Sequence, residues 1–182
     1  CIECAPGTYA ASFGTTICND CDSDSYQPES NATKCIPVQE GFYQSGPTTE
    51  VECPAGKAGI GGNESCHDCN VGWFQDLSGN TTCLECPLGF GNKAQGSTAC
   101  NAVPPGSYSW NGEVRECDKG HYCTGEAANQ TACRPGSYAT RPKSISCIEC
   151  APGMYANTFG TETCKNCDRD SYQPQSNATK CI

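Results

Sequence analysis

A chain of 182 residues with one methionine, two tryptophans and five phenylalanines cannot fill the interior of an ordinary domain with large apolar side chains. Two histidines, neither next to a nucleophile with a base, leave no constellation for acid–base or covalent catalysis. The expectation is a protein that is not an enzyme. Glycines recur singly, not in the clusters that cradle phosphate. No apolar run approaches the roughly 18 residues of a membrane span, so no membrane contact is expected from this segment. Positive charge is also scarce: 11 Lys and Arg stand against 20 Asp and Glu, a net charge of -9. That disfavours nucleic acid and anionic membrane surfaces as partners.

What the chain has instead is cysteine. Nineteen cysteines, with 20 glycines and 12 prolines, mark a small disulfide-rich fold with little helix. Covalent loops replace the missing core, since a bridge closing a loop of about 15 residues removes roughly 3 kcal/mol of unfolded-state entropy. Bridges this dense persist in oxidising surroundings, which places the chain outside the cell, secreted or on a cell surface. Five Asn-x-Ser/Thr sequons, at Asn31, Asn63, Asn80, Asn129 and Asn177, agree and predict N-linked glycans.

The sequence also repeats. Residues 1–36 return at residues 147–182 with 27 of 36 positions identical and every cysteine kept. Residues 1–146 therefore read as one full unit of about nine small cysteine loops, and residues 147–182 as the start of the next. Within a unit, a glycine follows the second cysteine of most CxxC pairs by three residues and an aromatic follows it by five, as in Cys4, Gly7, Tyr9 and Cys150, Gly153, Tyr155. Asp24 and Asp170 take the glycine slot after Cys21 and Cys167, and their tolerance of left-handed geometry suits a tight turn. The aromatic is expected to point inward, and a cysteine fourteen positions on usually closes the loop.

The pattern breaks twice. Val38 and Glu50 stand where cysteines are due around one loop, and Val103 and Val114 around another. Losing cysteines in such pairs fits local closure: Cys4 to Cys18, Cys21 to Cys35, Cys53 to Cys66, Cys69 to Cys83, Cys86 to Cys100, Cys133 to Cys147, Cys150 to Cys164 and Cys167 to Cys181. Cys117 would close a shorter loop with Cys123, because Gln130 occupies its usual partner's position. Cys1, the counterpart of Cys147, would then bond an upstream copy of Cys133 in an inter-unit disulfide. Spacing alone leaves a rival open, with alternate cysteines paired (Cys1 to Cys18, Cys4 to Cys21), although that scheme orphans Cys35.

CxPGxY with a cysteine fourteen positions after the first, as in Cys4 to Cys18, resembles the first small module of tumour necrosis factor receptor cysteine-rich domains. The tandem CxxC-x-PG-x-Y repeats, and CDKGHYCTGEAANQTACRPGSYAT from Cys117 to Thr140, more closely resemble the ephrin-receptor-like cysteine-rich repeats of large cell-surface and flagellar-surface proteins. The resemblance implies an elongated ladder of tandem cysteine modules built from short strands and turns, with contacts between neighbours only.

Cys1, Cys4, Cys18 and Cys21 have a zinc-like spacing, but the pattern never resets into groups of four. Asp20, Asp22 and Asp24 start like a calcium loop yet lack its glycine and closing glutamate, so they read as a solvated acidic turn. No cofactor or metal is expected. His67 and His121 read as surface or packing residues. Trp73, Trp110 and Phe42 fall outside the recurring aromatic slot and are candidate contact residues. The sequons all precede a loop's closing cysteine, which predicts glycans at equivalent positions of successive loops.

The functional expectation is a glycosylated structural protein, its units repeating into an extracellular filament or flagellar-hair-like appendage with copies of itself as partners. The alternative is a receptor or adhesion ectodomain stalk that binds a protein ligand.

Overall fold

The computed structural model describes residues 3–12, 14–62 and 65–182; Cys1 and Asn63 lie outside them. Within these bounds the chain contains twenty short strands and no helix, each strand paired antiparallel with its sequence neighbour to give ten hairpins. Most of the hairpins follow one rule. The first strand lies four and five residues after the opening cysteine, and the second is the pair between the closing cysteine and the next opener. Thr8–Tyr9 pairs with Asn19–Asp20, and Met154–Tyr155 with Lys165–Asn166. Two-residue strands are far too short to hold together alone; cystines supply the closure.

Nine disulfides are present among the described residues, seven of them spanning 14 residues, with Cys53–Cys66 spanning 13 and Cys117–Cys123 spanning 6. Every bridge joins an opener to the closing cysteine of its own loop. The interior is mainly their sulfur and small side chains: Cys4, Cys53, Cys69, Cys117, Cys133 and Cys150 are buried, with Ala58, Ala139 and Ala156. The recurring aromatics correct the expectation of an inward core, because Tyr9, Tyr26, Phe74 and Tyr138 are only half-buried. A two-stranded ribbon has no second layer to cover them.

The chain divides into two compact units, one of Cys1–Glu85 with Ala94–Ala99 and one of Cys86–Lys93 with Cys100–Ile182. In the first, backbone bonds tie each module to the next: Asn31 N donates to Cys4 O, Gly79 N to Cys53 O and Gly96 N to Cys69 O, all at 2.8 Å. In the second, Lys143 N donates to Cys117 O, Gly160 N to Cys133 O and Asn177 N to Cys150 O, all at 2.9 Å. The donors all sit in left-handed backbone conformation.

Contacts are not confined to neighbours, contrary to the expectation. The turn glycine of one module lies under the left-handed residue two modules on: Gly41 under Gly79 and Gly56 under Gly96 in the first unit, Gly120 under Gly160 and Gly136 under Asn177 in the second. A Cβ on any of these glycines would strike the backbone above it. The slot thus selects glycine for close approach as well as for its positive φ. The aspartates in that slot differ from expectation too. Neither Asp24 nor Asp170 is left-handed; Asp24 is the third residue of a turn closed by Ser25 N to Asp22 O, and a type I turn with negative φ there admits a side chain.

The bridgeless modules are closed without sulfur. Glu50 takes the closing slot of one, and its carboxylate accepts from Gln39 N (3.1 Å), Gln39 Nε2 (3.2 Å) and Tyr26 OH (3.0 Å). In the module opened by Val103, which is 2% exposed, the hairpin lengthens to Ser107–Trp110 against Glu113–Glu116. Its two-residue loop is Asn111 and Gly112, at φ 50° and 73°, the type I′ geometry that Asn-Gly favours. Gln130 clasps the Cys117 loop, with Asp118 N donating to Oε1 and Nε2 donating to Asp118 Oδ2, both at 2.8 Å. Glu50 and Gln130 both reach the residue just after their module's opener.

The Glu50 clasp has a pH signature. Partial burial, then the hydrogen bond and charge of Glu50, hold the Tyr26 phenol above its ordinary value of 10.0. A folded-state value above the unfolded one gives stability that is complete below the unfolded value and is lost as pH rises through the folded one. Ultraviolet titration should show a late step above the ordinary tyrosine value, and Tyr26→Phe should remove that late step. Retention of the late step in the variant would assign it elsewhere and leave the clasp without support.

Candidate glycan and contact surface

The sequon asparagines Asn31 and Asn177 are carried by loop tips that dock on the preceding module. Asn31 and Asn177 occupy the left-handed position, at φ 59° and 58°, and both are exposed. Asn31 donates its backbone N to Cys4 O and accepts from Cys4 N through Oδ1 at 3.1 Å. The Oδ1 bond fixes the side chain while sparing Nδ2, the atom that a glycan takes. Asn80 is half-buried, with Nδ2 3.4 Å from both Leu77 O and Ser78 O. Asn129 is exposed. The sequons therefore do not all share one slot: counted from their openers, Asn31, Asn63 and Asn177 are tenth, Asn80 eleventh and Asn129 twelfth. The expected common phase holds for these three and breaks at Asn80 and Asn129.

Of the candidate contact residues, Trp73 is 41% and Trp110 47% exposed, while Phe42 is half-buried. Each lies in a hairpin of its own and faces a glutamate in register: Trp73 opposite Glu85, Trp110 opposite Glu113, Phe42 opposite Glu52. Sequence reasoning missed the acid that precedes many openers. Asp20, Glu52, Asp68, Glu85, Glu116 and Glu149 are all exposed; Asp68 pairs with Lys57 at 3.1 Å and Glu116 with Lys143 at 2.8 Å. Exposed pairs of this kind contribute about 0–1 kcal/mol each, so the acids shape charge more than stability. The signal for them was the dipeptides EC and DC.

A second missed device is the glutamine after the aromatic. Gln27 Nε2 donates to Lys34 O at 2.8 Å, Gln75 Nε2 to Thr82 O at 2.7 Å and Gln173 Nε2 to Lys180 O at 2.9 Å. Their Oε1 atoms accept from Glu29 N, Leu77 N and Gln175 N, so one side chain braces each loop across its width.

His67 is exposed, and the half-buried His121 has Nδ1 3.1 Å from Lys119 O. Asp20, Asp22 and Asp24 are exposed, and no group of three or more metal-capable side chains converges among the described residues. An open groove of about 460 Å³ in the second unit is lined by Tyr122, Thr131, Arg134, Ser137, Glu149 and Asn177, among others.

Residues 56–102 match the family model described as tyrosine-protein kinase ephrin type A/B receptor-like. That stretch is an ephrin-receptor-like cysteine-rich segment, and the disulfide modules on either side repeat its pattern. No curated protein matches the chain.

Proposed function

We propose that this chain is a structural segment of a glycosylated extracellular filament or surface appendage, built from 146-residue units that follow one another. The coarser statement stands on the disulfides and the family match: an ephrin-receptor-like segment within nine disulfides belongs to an extracellular or cell-surface protein. The observation that carries the finer reading is the repeat itself. Residues 147–182 keep 27 of 36 positions of residues 1–36, which favours uniform geometry over distinct binding sites, and uniform heterologous contacts extend into fibres. Copies of the chain are then its partners, with glycans on exposed loop tips keeping the array soluble.

Electron microscopy of the native, unreduced material tests this. Filaments with an axial period matching one 146-residue unit are expected; isolated molecules with neither axial nor lateral order would overturn it. The second reading, a receptor or adhesion stalk, is favoured by the exposed Trp73 and Trp110, since aromatics in a chain with so little interior are natural contact anchors.

A further inference from the structure

The open groove of the second unit is walled by successive modules of the stack. Tyr122 comes from the module of Cys117, Arg134 and Ser137 from that of Cys133, Glu149 from the strand leading into Cys150, and Asn177 from the module of Cys167. All of them belong to one compact unit.

Asn177 is held at this wall by its backbone and by its neighbour. Its N donates to Cys150 O at 2.9 Å and its φ is 58°, while a Cβ on Gly136 would strike both Asn177 Oδ1 and Asn177 O. The carboxamide therefore lies over Gly136, between Pro135 and Ser137 of the groove lining. Nδ2 belongs to the same planar group and takes no partner among the described residues. At Asn80, by contrast, Nδ2 is turned onto its own loop, 3.4 Å from Leu77 O and Ser78 O. A sugar on Asn177 Nδ2 thus begins at the wall of the groove and not in open solvent.

The lining suits such an occupant. One cation, Arg134, and one anion, Glu149, balance its charge, which favours a neutral polar ligand over an ion. Arg134 offers donors and Glu149 acceptors; Ser137 Oγ spends its proton on Arg134 O at 2.8 Å and can still accept. Tyr122 adds an aromatic face, whose negative quadrupole attracts the C–H groups of a pyranose ring. The first sugar of an N-linked chain, N-acetylglucosamine, is neutral, with hydroxyls, an acetamide and a face of ring C–H groups. At about 460 Å³ the groove falls in the roughly 300–1,000 Å³ range of small-ligand sites. Free sugars would hold weakly to so open a surface, but a tether one side chain long makes the contact intramolecular, at an effective concentration on the order of millimolar.

We propose that the groove seats the innermost N-acetylglucosamine on Asn177, so that this glycan braces the stacked modules as well as coating them. The proposal rests on the glycosylated, extracellular part of the reading above and is independent of the filament.

The test uses the full chain secreted from a eukaryotic cell and trimmed by an endoglycosidase to one N-acetylglucosamine per occupied sequon. Its partner is Thr179→Ala, which removes the Asn177 sequon at an exposed position and leaves every groove residue in place. Peptide mapping comes first: an empty Asn177 beside an occupied Asn31, which carries the same Asn-Ala-Thr sequon, overturns the proposal, and empty sequons throughout overturn the glycosylation reading with it. Tyr122 should react with a nitrating reagent about threefold or more faster in Thr179→Ala than in the glycosylated chain, with Tyr9, half-buried in the first unit, unchanged. Proton spectra of the trimmed chain should show one sugar whose ring protons are shifted upfield by the Tyr122 ring, a shift lost in Thr179→Ala and in Tyr122→Leu. Equal Tyr122 reactivity with and without the sugar overturns the proposal, as do sugar resonances that all match a freely exposed glycan.

Discussion

A chain with Cys53 and Cys66 both replaced by serine unfolds at a lower guanidinium concentration, by an amount corresponding to about 3 kcal/mol from the freed loop alone. Two features of the site push the loss upward. Cys53 is fully buried, and a serine hydroxyl there has to find a hydrogen bond or lose about 1–3 kcal/mol. The backbone of Cys53 is also a junction, with its N donating to Gly41 O and its O accepting from Gly79 N, both at 2.8 Å. Loosening it releases the modules before and behind. Because the bonds and close approaches described run to first and second neighbours, the damage should fade with distance. Hydrogen exchange should quicken at Gly59 and Gly79 and stay unchanged at Ala156. An unaltered midpoint with Gly79 still protected would show that the stacked backbone, not the cystine, holds this module.

The second large effect is Gly41→Ala, with an expected loss of about 2–4 kcal/mol. Gly41 is at φ 83°, and its new Cβ would meet the Gly79 carbonyl, a backbone group that cannot rotate aside. Nor can Gly41 retreat, since its N is bonded to Gly59 O and its O to Cys53 N. Gly46→Ala is the matched control. Its φ of 92° carries the same left-handed strain, but nothing lies within 4 Å of its Cβ, so about 1–2 kcal/mol is expected. The difference between the two unfolding midpoints isolates the close approach. Equal losses would refute it and reduce the turn glycine to a conformational preference.

The sequence made the loops legible because a cystine constrains residues near each other in the chain. Cysteine spacing and the paired losses at Val38 with Glu50 and Val103 with Val114 describe local closure, and each hairpin answers to one such loop. What stayed hidden depends on stacking. Gly41 reads as a turn glycine, and only the arrival of Gly79 two modules later shows why no Cβ fits. The aromatics read as core because a pattern of five says nothing about whether a second layer exists to bury them. Glu50 reads as a lost cysteine, while its carboxylate in fact gathers three donors from Gln39 and Tyr26. The sequons were visible as motifs, but their exposure was not: one residue's shift along the loop tip separates the exposed Asn31 from the half-buried Asn80.

The distribution of cystines also sets how the chain yields to tension. In a bridged module a pull entering at the opener crosses directly to the closing cysteine, whose Cα lies 5.6 Å away in Cys4–Cys18, then along three residues worth about 10 Å at full stretch. The loop between them stays out of the line of force. Without the bridge, the same 17 residues from Cys4 to Cys21 could pay out to about 60 Å. Compliance is therefore concentrated where sulfur is missing: at the Glu50 clasp, at the Asn111–Gly112 hairpin, and between Cys123 and Cys133. These stretches can lengthen under load and re-form by hydrogen bonding alone, while the bridged modules between them behave as inextensible links.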